Sequence, residues 1–149
     1  MNPAPSFDRD RTLAYAVFRF TLGVNILLHG LVRIIGGIEA FAAKTMPEFA
    51  NTPLPPSMVH GFLVVLSPVE MALGLLITIG LFTRWALVLG GLTITALVFG
   101  TALRGDWNTL TQQMIYAIVY YLLLAHRAEN YFSIDTLLRP KSTSSESGW

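Results

Sequence analysis

The sequence predicts an all-α integral membrane protein, a bundle of four transmembrane helices with both termini in the cytoplasm. Three observations carry this expectation. The 149 residues are 53% hydrophobic and 13% charged, with mean hydropathy +0.55, too apolar for an ordinary soluble domain. The apolar residues gather in four runs, 12–35, 57–81, 85–103 and 110–126, each near the roughly 17–25 residues that cross a hydrocarbon core as a helix. If both termini share a side, that side holds Arg9, Arg11, Arg84, Arg127, Arg139 and Lys141, against Arg33, Lys44 and Arg104 opposite. The richer side belongs in the cytoplasm.

Residues 1–11, with two prolines and alternating Asp and Arg, read as a mobile or interfacial arm ahead of one domain spanning 12–138. The first apolar run is a retained helix. It exceeds the roughly 7–15 residues of a signal h-region and contains Arg19 and His29. Gly36-Gly37 stops it. Residues 38–56 hold an amphipathic turn at about 38–45, then Pro47, Pro53, Pro55 and Pro56, and read as a surface cap. The second helix carries Pro68 two residues before Glu70, where it can break a backbone bond and kink the helix. Phe82-Thr83-Arg84 and residues 104–108 form the remaining turns. Trp85 and Trp107 sit at run ends, where indoles favour the interface. Residues 139–149 read as a disordered tail.

Several function classes drop out. A formal charge of +1 without a basic stripe gives no support for nucleic-acid binding. The chain has no cysteine, so dithiol relays, thiolate metal sites and disulfides are excluded on it. No motif for flavin, nicotinamide or iron-sulfur binding is present, and electrons would have to come from a partner.

Glu70 is the central candidate, because a carboxylate at bilayer depth needs a partner, a proton or a wet cavity. Arg19 is its expected partner. Counted at 1.5 Å per residue, Arg19 lies about 24 Å below Ile35 and Glu70 about 21 Å below Pro56. The pair either fixes helix register or serves a ligand or proton. At about 100° per residue, Arg19, Asn25, His29 and Arg33 share a sector of roughly 120° on the first helix, and His60, Ser67, Glu70, Gly74 and Thr78 share one of roughly 80° on the second. His29, His60, Arg33, Gln113 and Tyr116 form the expected ligand-binding cluster, nearer the outer face. Two histidines without carboxylate or sulfur company make no metal site.

Arg19 with Gly23, His29-Gly30 and Arg33, then Glu70, Gly74 and the run Gly80-Leu81-Phe82-Thr83-Arg84, resemble the DoxX and DoxD group of small four-helix membrane proteins. Tyr131-Phe132-Ser133-Ile134-Asp135 resembles that group's ending. The resemblance runs from about Arg11 to Asp135. This chain has Arg33 where a lysine is common, Val69 where a small residue is common, and Asn130 where glycine is common. Arg for Lys is not a neutral exchange at a site handling anions or protons.

The group includes a subunit of a thiosulfate to quinone oxidoreductase and of a membrane oxidoreductase complex. The resemblance therefore implies a redox-linked, multi-pass subunit of a prokaryotic inner membrane, with a partner redox subunit or a second copy of the chain beside it in the bilayer. The expected function is handling of a quinone-type lipophilic ligand, at most as one subunit of a quinone-linked oxidoreductase. No bound cofactor is implied beyond a quinone. A non-catalytic anchor is the alternative, and a carrier of small lipophilic molecules the third reading.

Overall fold

The computed structural model describes residues 5–138. All the regular structure among them is helical: α1 (Pro5–Ile35), α2 (Ile38–Thr45), a 3-10 turn (Met46–Phe49), α3 (Pro56–Ile79), α4 (Thr83–Arg104), α5 (Trp107–Ala125), a second 3-10 turn (Arg127–Glu129) and α6 (Ile134–Leu137). The expected disordered tail, 139–149, lies outside the described residues. The expected arm differs, because α1 already includes 5–11, extending the helix at one hydrogen bond per added residue.

α1 from Arg9, α3 and α4 are the three described helices long and apolar enough to cross a membrane. α5 has 19 residues, but Asn108, Thr109, Thr111, Gln112 and Gln113 make its first turns polar. Its remainder presents exposed Ile115, Ile118 and Tyr121. Large apolar side chains also face outward on α1 (Val17, Val32), α3 (Val65, Leu75) and α4 (Leu89, Phe99). An apolar exterior around a core holding Arg19, Ser67 and Glu70 is the arrangement suited to lipid. The chain is a multi-pass membrane protein.

The helix ends follow local chemistry. α3 ends in left-handed Gly80, φ 70°, with Leu81 N–H donating to Leu76 O at 3.0 Å and Gly80 N–H to Ile77 O at 3.2 Å, a Schellman closure. Gly105 ends α4 in the same way, φ 72°. Asp106 then caps α5 by accepting from Thr109 N–H at 3.1 Å. Hydrogen bonding from the Thr109 side chain and amide, with Arg104 nearby, holds the Asp106 carboxyl below the ordinary aspartate range. α3 runs through Pro68 as a continuous helix.

Two antiparallel pairs build the bundle, α1 on α3 and α4 on α5. α3 and α4 are joined by a short turn yet pack sparsely. The α1–α3 contact is the closest. Gly23 lies against Thr78, Gly30 against Ser67 and Met71, and Gly74 against Ile26 and Leu27, each so near that an added Cβ would meet opposing backbone. Small residues permit such approach, and between membrane helices the gain comes from van der Waals contact.

This register places Ile35 beside about residue 66, so α3 rises roughly ten residues, about 15 Å, above the end of α1. α2 covers the protruding turns, where Ala42, Val59 and Leu63 are buried together. The main core gathers Leu22, Ile26, Ile77, Leu87, Ile94 and Leu123 from α1, α3, α4 and α5.

Gly74→Ala is expected to destabilise the bundle by about 1–3 kcal/mol, seen as a lower unfolding midpoint in detergent. Gly61→Ala is the control, because a Cβ there meets nothing within 4 Å. Equal midpoints for the two variants would contradict the close crossing.

Candidate functional site

The polar face of α3 turns toward α1 and buries Ser67 and Glu70. Glu70 is the one buried carboxylate among the described residues, and its partner is Arg33. Arg33 Nη1 donates to Glu70 Oε2, with side chains 25% and 8% exposed respectively. The expected Arg19–Glu70 pair does not form. The depth count assumed that the outer ends of the two helices lie level, whereas the glycine contacts offset them by about 15 Å. Glu70 therefore lies within reach of the last turn of α1, and Arg19 lies beside the other end of α3.

Arg19 is a clasp. Its Nη1 donates to Ile77 O and, at 2.8 Å, to Thr78 O, and its Nη2 to Phe132 O at 2.7 Å. The first two acceptors belong to the last turn of α3, where carbonyls lack helical partners and the macrodipole is negative. Gly80 is required beside them by its positive φ and by the approach of the guanidinium to 2.9 Å from where a Cβ would stand.

The segment after α5 completes this end. Asp135 accepts from Phe82 N–H at 2.7 Å and from Thr83 N–H at 2.8 Å, capping α4, whose own N-cap residue Phe82 makes no side-chain bond. Asp135 N–H donates to Gly80 O at 3.0 Å, and Asn130 Nδ2 to Thr83 Oγ1 at 3.0 Å. The motif at 80–84 and the motif at 131–135 are thus two halves of one joint.

A cavity of about 800 Å³ occupies the opposite end of the bundle, between α2, the first 3-10 turn, α3, α4 and α5. Phe41, Phe49, Phe62, Phe99, Leu63 and Leu66 supply much of its apolar wall, and its polar groups include Arg33, Glu48, Thr101, Arg104, Asp106 and Gln113. Arg33 stands 4.5 Å over the Phe41 ring and Arg104 5.0 Å over the Phe49 ring. Arg104 pairs with Glu48, and with Asp106 at 3.6 Å. Gln113 Nε2 donates to Thr101 Oγ1 at 2.9 Å.

A second space of about 520 Å³ runs between α3 and α4, lined among others by Val65, Val69, Leu73 and Leu89. It shares Phe62, Leu66, Leu92 and Ala96 with the cavity. The sparse α3–α4 packing leaves this apolar groove.

The expected ligand-binding cluster is divided. Arg33 and Gln113 line the cavity. His60 bonds Glu39 Oε2 on α2 at 2.9 Å, near the surface. Tyr116 donates to Asn25 Oδ1 at 3.1 Å, between α5 and α1. His29 is exposed. The glycines, not the polar residues, set the α3-facing line of α1, and His29 lies about 100° from Gly30. Among the described residues, no three His, Asp or Glu side chains gather as a metal site.

Arg104, Thr101, Glu48 and Phe49 enter the site without having been singled out in the sequence. Arg104 ends an apolar run, where a cation reads as an interface residue, and the others are ordinary cap or packing residues in one dimension. Asp135 had a faint signal, since Phe82-Thr83 begins a helix with no local capping side chain.

A family model described as TQO small subunit DoxD matches residues 39–149, well over half of the chain. The chain belongs to the DoxD family. The DoxD match takes in α3, α4, α5, the cavity wall apart from Arg33, and the 131–135 segment, and leaves out α1 with Arg19, His29 and Arg33. It makes this chain a DoxX-like membrane protein of an oxidoreductase-associated family. No curated protein and no solved structure matches it.

Asp135→Ala removes both caps of α4 and is expected to cost about 1–2 kcal/mol, with Asp135→Asn losing less. Thermal unfolding of the purified variants checks this. An unchanged midpoint for Asp135→Ala would show that the joint does not hold the turn.

Proposed function

We propose that this chain is the membrane subunit of an oxidoreductase assembly and holds a quinone-type lipophilic ligand in its outer cavity, while the partner supplies electrons. The observation that supports this reading is the pairing of an apolar-walled cavity with a polar end to an apolar groove between α3 and α4. A ligand site of about 300–1,000 Å³ with a few convergent polar groups suits a small amphiphile. The head would meet Arg33, Arg104, Thr101 and Gln113, and an isoprenoid tail would follow the groove. Glu70, behind the cavity wall, positions Arg33. The family description names a small subunit, which fits a chain that carries no motif for an electron-transfer group.

Purified protein is expected to yield a stoichiometric quinone by mass spectrometry of its organic extract. Ala96→Trp, placed where groove and cavity meet, is expected to lower that content at least tenfold while circular dichroism stays unchanged. An empty wild type overturns the reading. It would favour the non-catalytic anchor, a role supported by the internal partners of Arg19 and Arg33. Four helices without an internal repeat give a carrier little support.

We also propose α5 as the fourth span, which puts both termini in the cytoplasm by the charge rule and the cavity toward the opposite face of a prokaryotic inner membrane. The absence of cysteine makes single-site labelling direct. Ala43→Cys is expected to react with an impermeant maleimide in intact cells, and Ala128→Cys only after lysis. The reverse pattern overturns the orientation, and labelling of both in intact cells overturns the fourth span.

A further inference from the structure

We propose that α1 pairs with α1 of a second copy of this chain along its outward face, with Asn25 at the centre of the contact. The glycines that meet α3 occupy one side of α1, and at about 100° per residue the opposite side carries Phe18, Thr21, Asn25, Leu28, Val32 and Ile35. All six are exposed. They recur at alternating steps of three and four residues, the repeat of about 3.5 residues with which two helices wind into a left-handed pair.

Exposed apolar side chains are what lipid requires, and Asn25 departs from them. It stands three residues past residue 22, the middle of the span Arg9–Ile35, and its partner Tyr116 is the middle residue of α5. The amide therefore lies near the centre of the bilayer. A side-chain amide offers two donor hydrogens and two acceptor positions. The Tyr116 hydroxyl, the one hydrogen-bond partner of this side chain among the described residues, takes up a single one of these. Whichever way the amide is turned, a donor and an acceptor both stay open on an exposed side chain, and lipid tails supply neither. Thr21, by contrast, is satisfied within the helix, its hydroxyl donating to Val17 O at 2.9 Å.

The occupant follows from symmetry. Copies of one chain share one orientation in the membrane, so a two-fold axis relating them runs along the membrane normal and sets their α1 helices parallel. In a parallel pair each residue of the seam meets its own counterpart. An amide carries both donor and acceptor and is its own complement, and a single Asn within an apolar seam fixes register and pairing. A different subunit would have to bring a matching polar group to the same depth, which a second copy does by construction. The seam faces away from α3, so pairing leaves the groove between α3 and α4 open, and the inference stands independently of the ligand.

The test uses single-cysteine variants of the full chain, which has no cysteine of its own, oxidised in native membranes. Phe18→Cys and Val32→Cys are expected to give disulfide-linked dimers, since the bond needs Cα atoms within about 7 Å. Phe20→Cys, also exposed but about 110° from the seam around α1, is expected to stay monomeric. In liposomes, energy transfer between labelled chains is expected to show a dimer whose affinity falls about tenfold in Asn25→Leu. The affinity is expected to hold within about twofold in Tyr116→Phe, which removes the internal bond alone. A monomeric wild type overturns the pairing, as does equal cross-linking at residues 18, 20 and 32, the pattern of random collision. Disulfides from Val32→Cys to a different membrane protein, without the dimer, overturn the second copy as occupant. An affinity unchanged in Asn25→Leu overturns the central place of Asn25. If that variant does not fold, the cysteine pattern in the otherwise unaltered chain decides.

Discussion

The close crossing of α1 and α3 governs the rest of the molecule, because Gly23, Gly30 and Gly74 bring the two backbones together at one register. Within lipid there is no hydrophobic drive between helices, so a contact this close gains its energy from packed atoms. A shift of one turn would press side chains into backbone. That register lifts α3 above α1, leaves its upper turns to be covered by α2, and opens the space in which the cavity lies.

The same register gives the two arginines of α1 different work. Arg33 reaches the buried carboxylate and stands at the cavity wall. Arg19 meets no carboxylate and instead neutralises the carbonyl end of α3 while holding Phe132. Both charges obey the rule that a buried ion must be paired or multiply hydrogen-bonded, by two separate routes. One end of the bundle is consequently a tied joint, closed by Arg19, Gly80 and Asp135, and the other is open enough for a ligand.

This polarity fits a membrane subunit of the DoxD family. The joint holds the α3–α4 turn and the segment after α5 as one unit, so the helices can diverge toward the other end without losing order. Divergence of α3 from α4 creates the apolar groove. The polar end of the cavity then depends on α4 and α5, whose turn brings Thr101, Arg104, Asp106 and Gln113 together. Loss of α5 from its place beside α4 would take Thr109 and Gln113 out of the cavity wall.

Composition and periodicity by themselves determined the membrane class, the positions of the long helices and the short helix at 38–45, because apolar run length and stop signals are local properties. They also marked Glu70 and Arg33 as inward residues and Gln113 as a polar group on the α5 face. What they could not supply was the offset between helices. Counting from helix ends treats those ends as level, and the pairing of Arg19 with Glu70 failed for that reason. The caps from Asp135 across 52 and 53 residues and the entry of Arg104 into the cavity likewise depend on which helices are neighbours and at what height. Burial decides which charges must find partners. Only the three-dimensional register decides which partners they find.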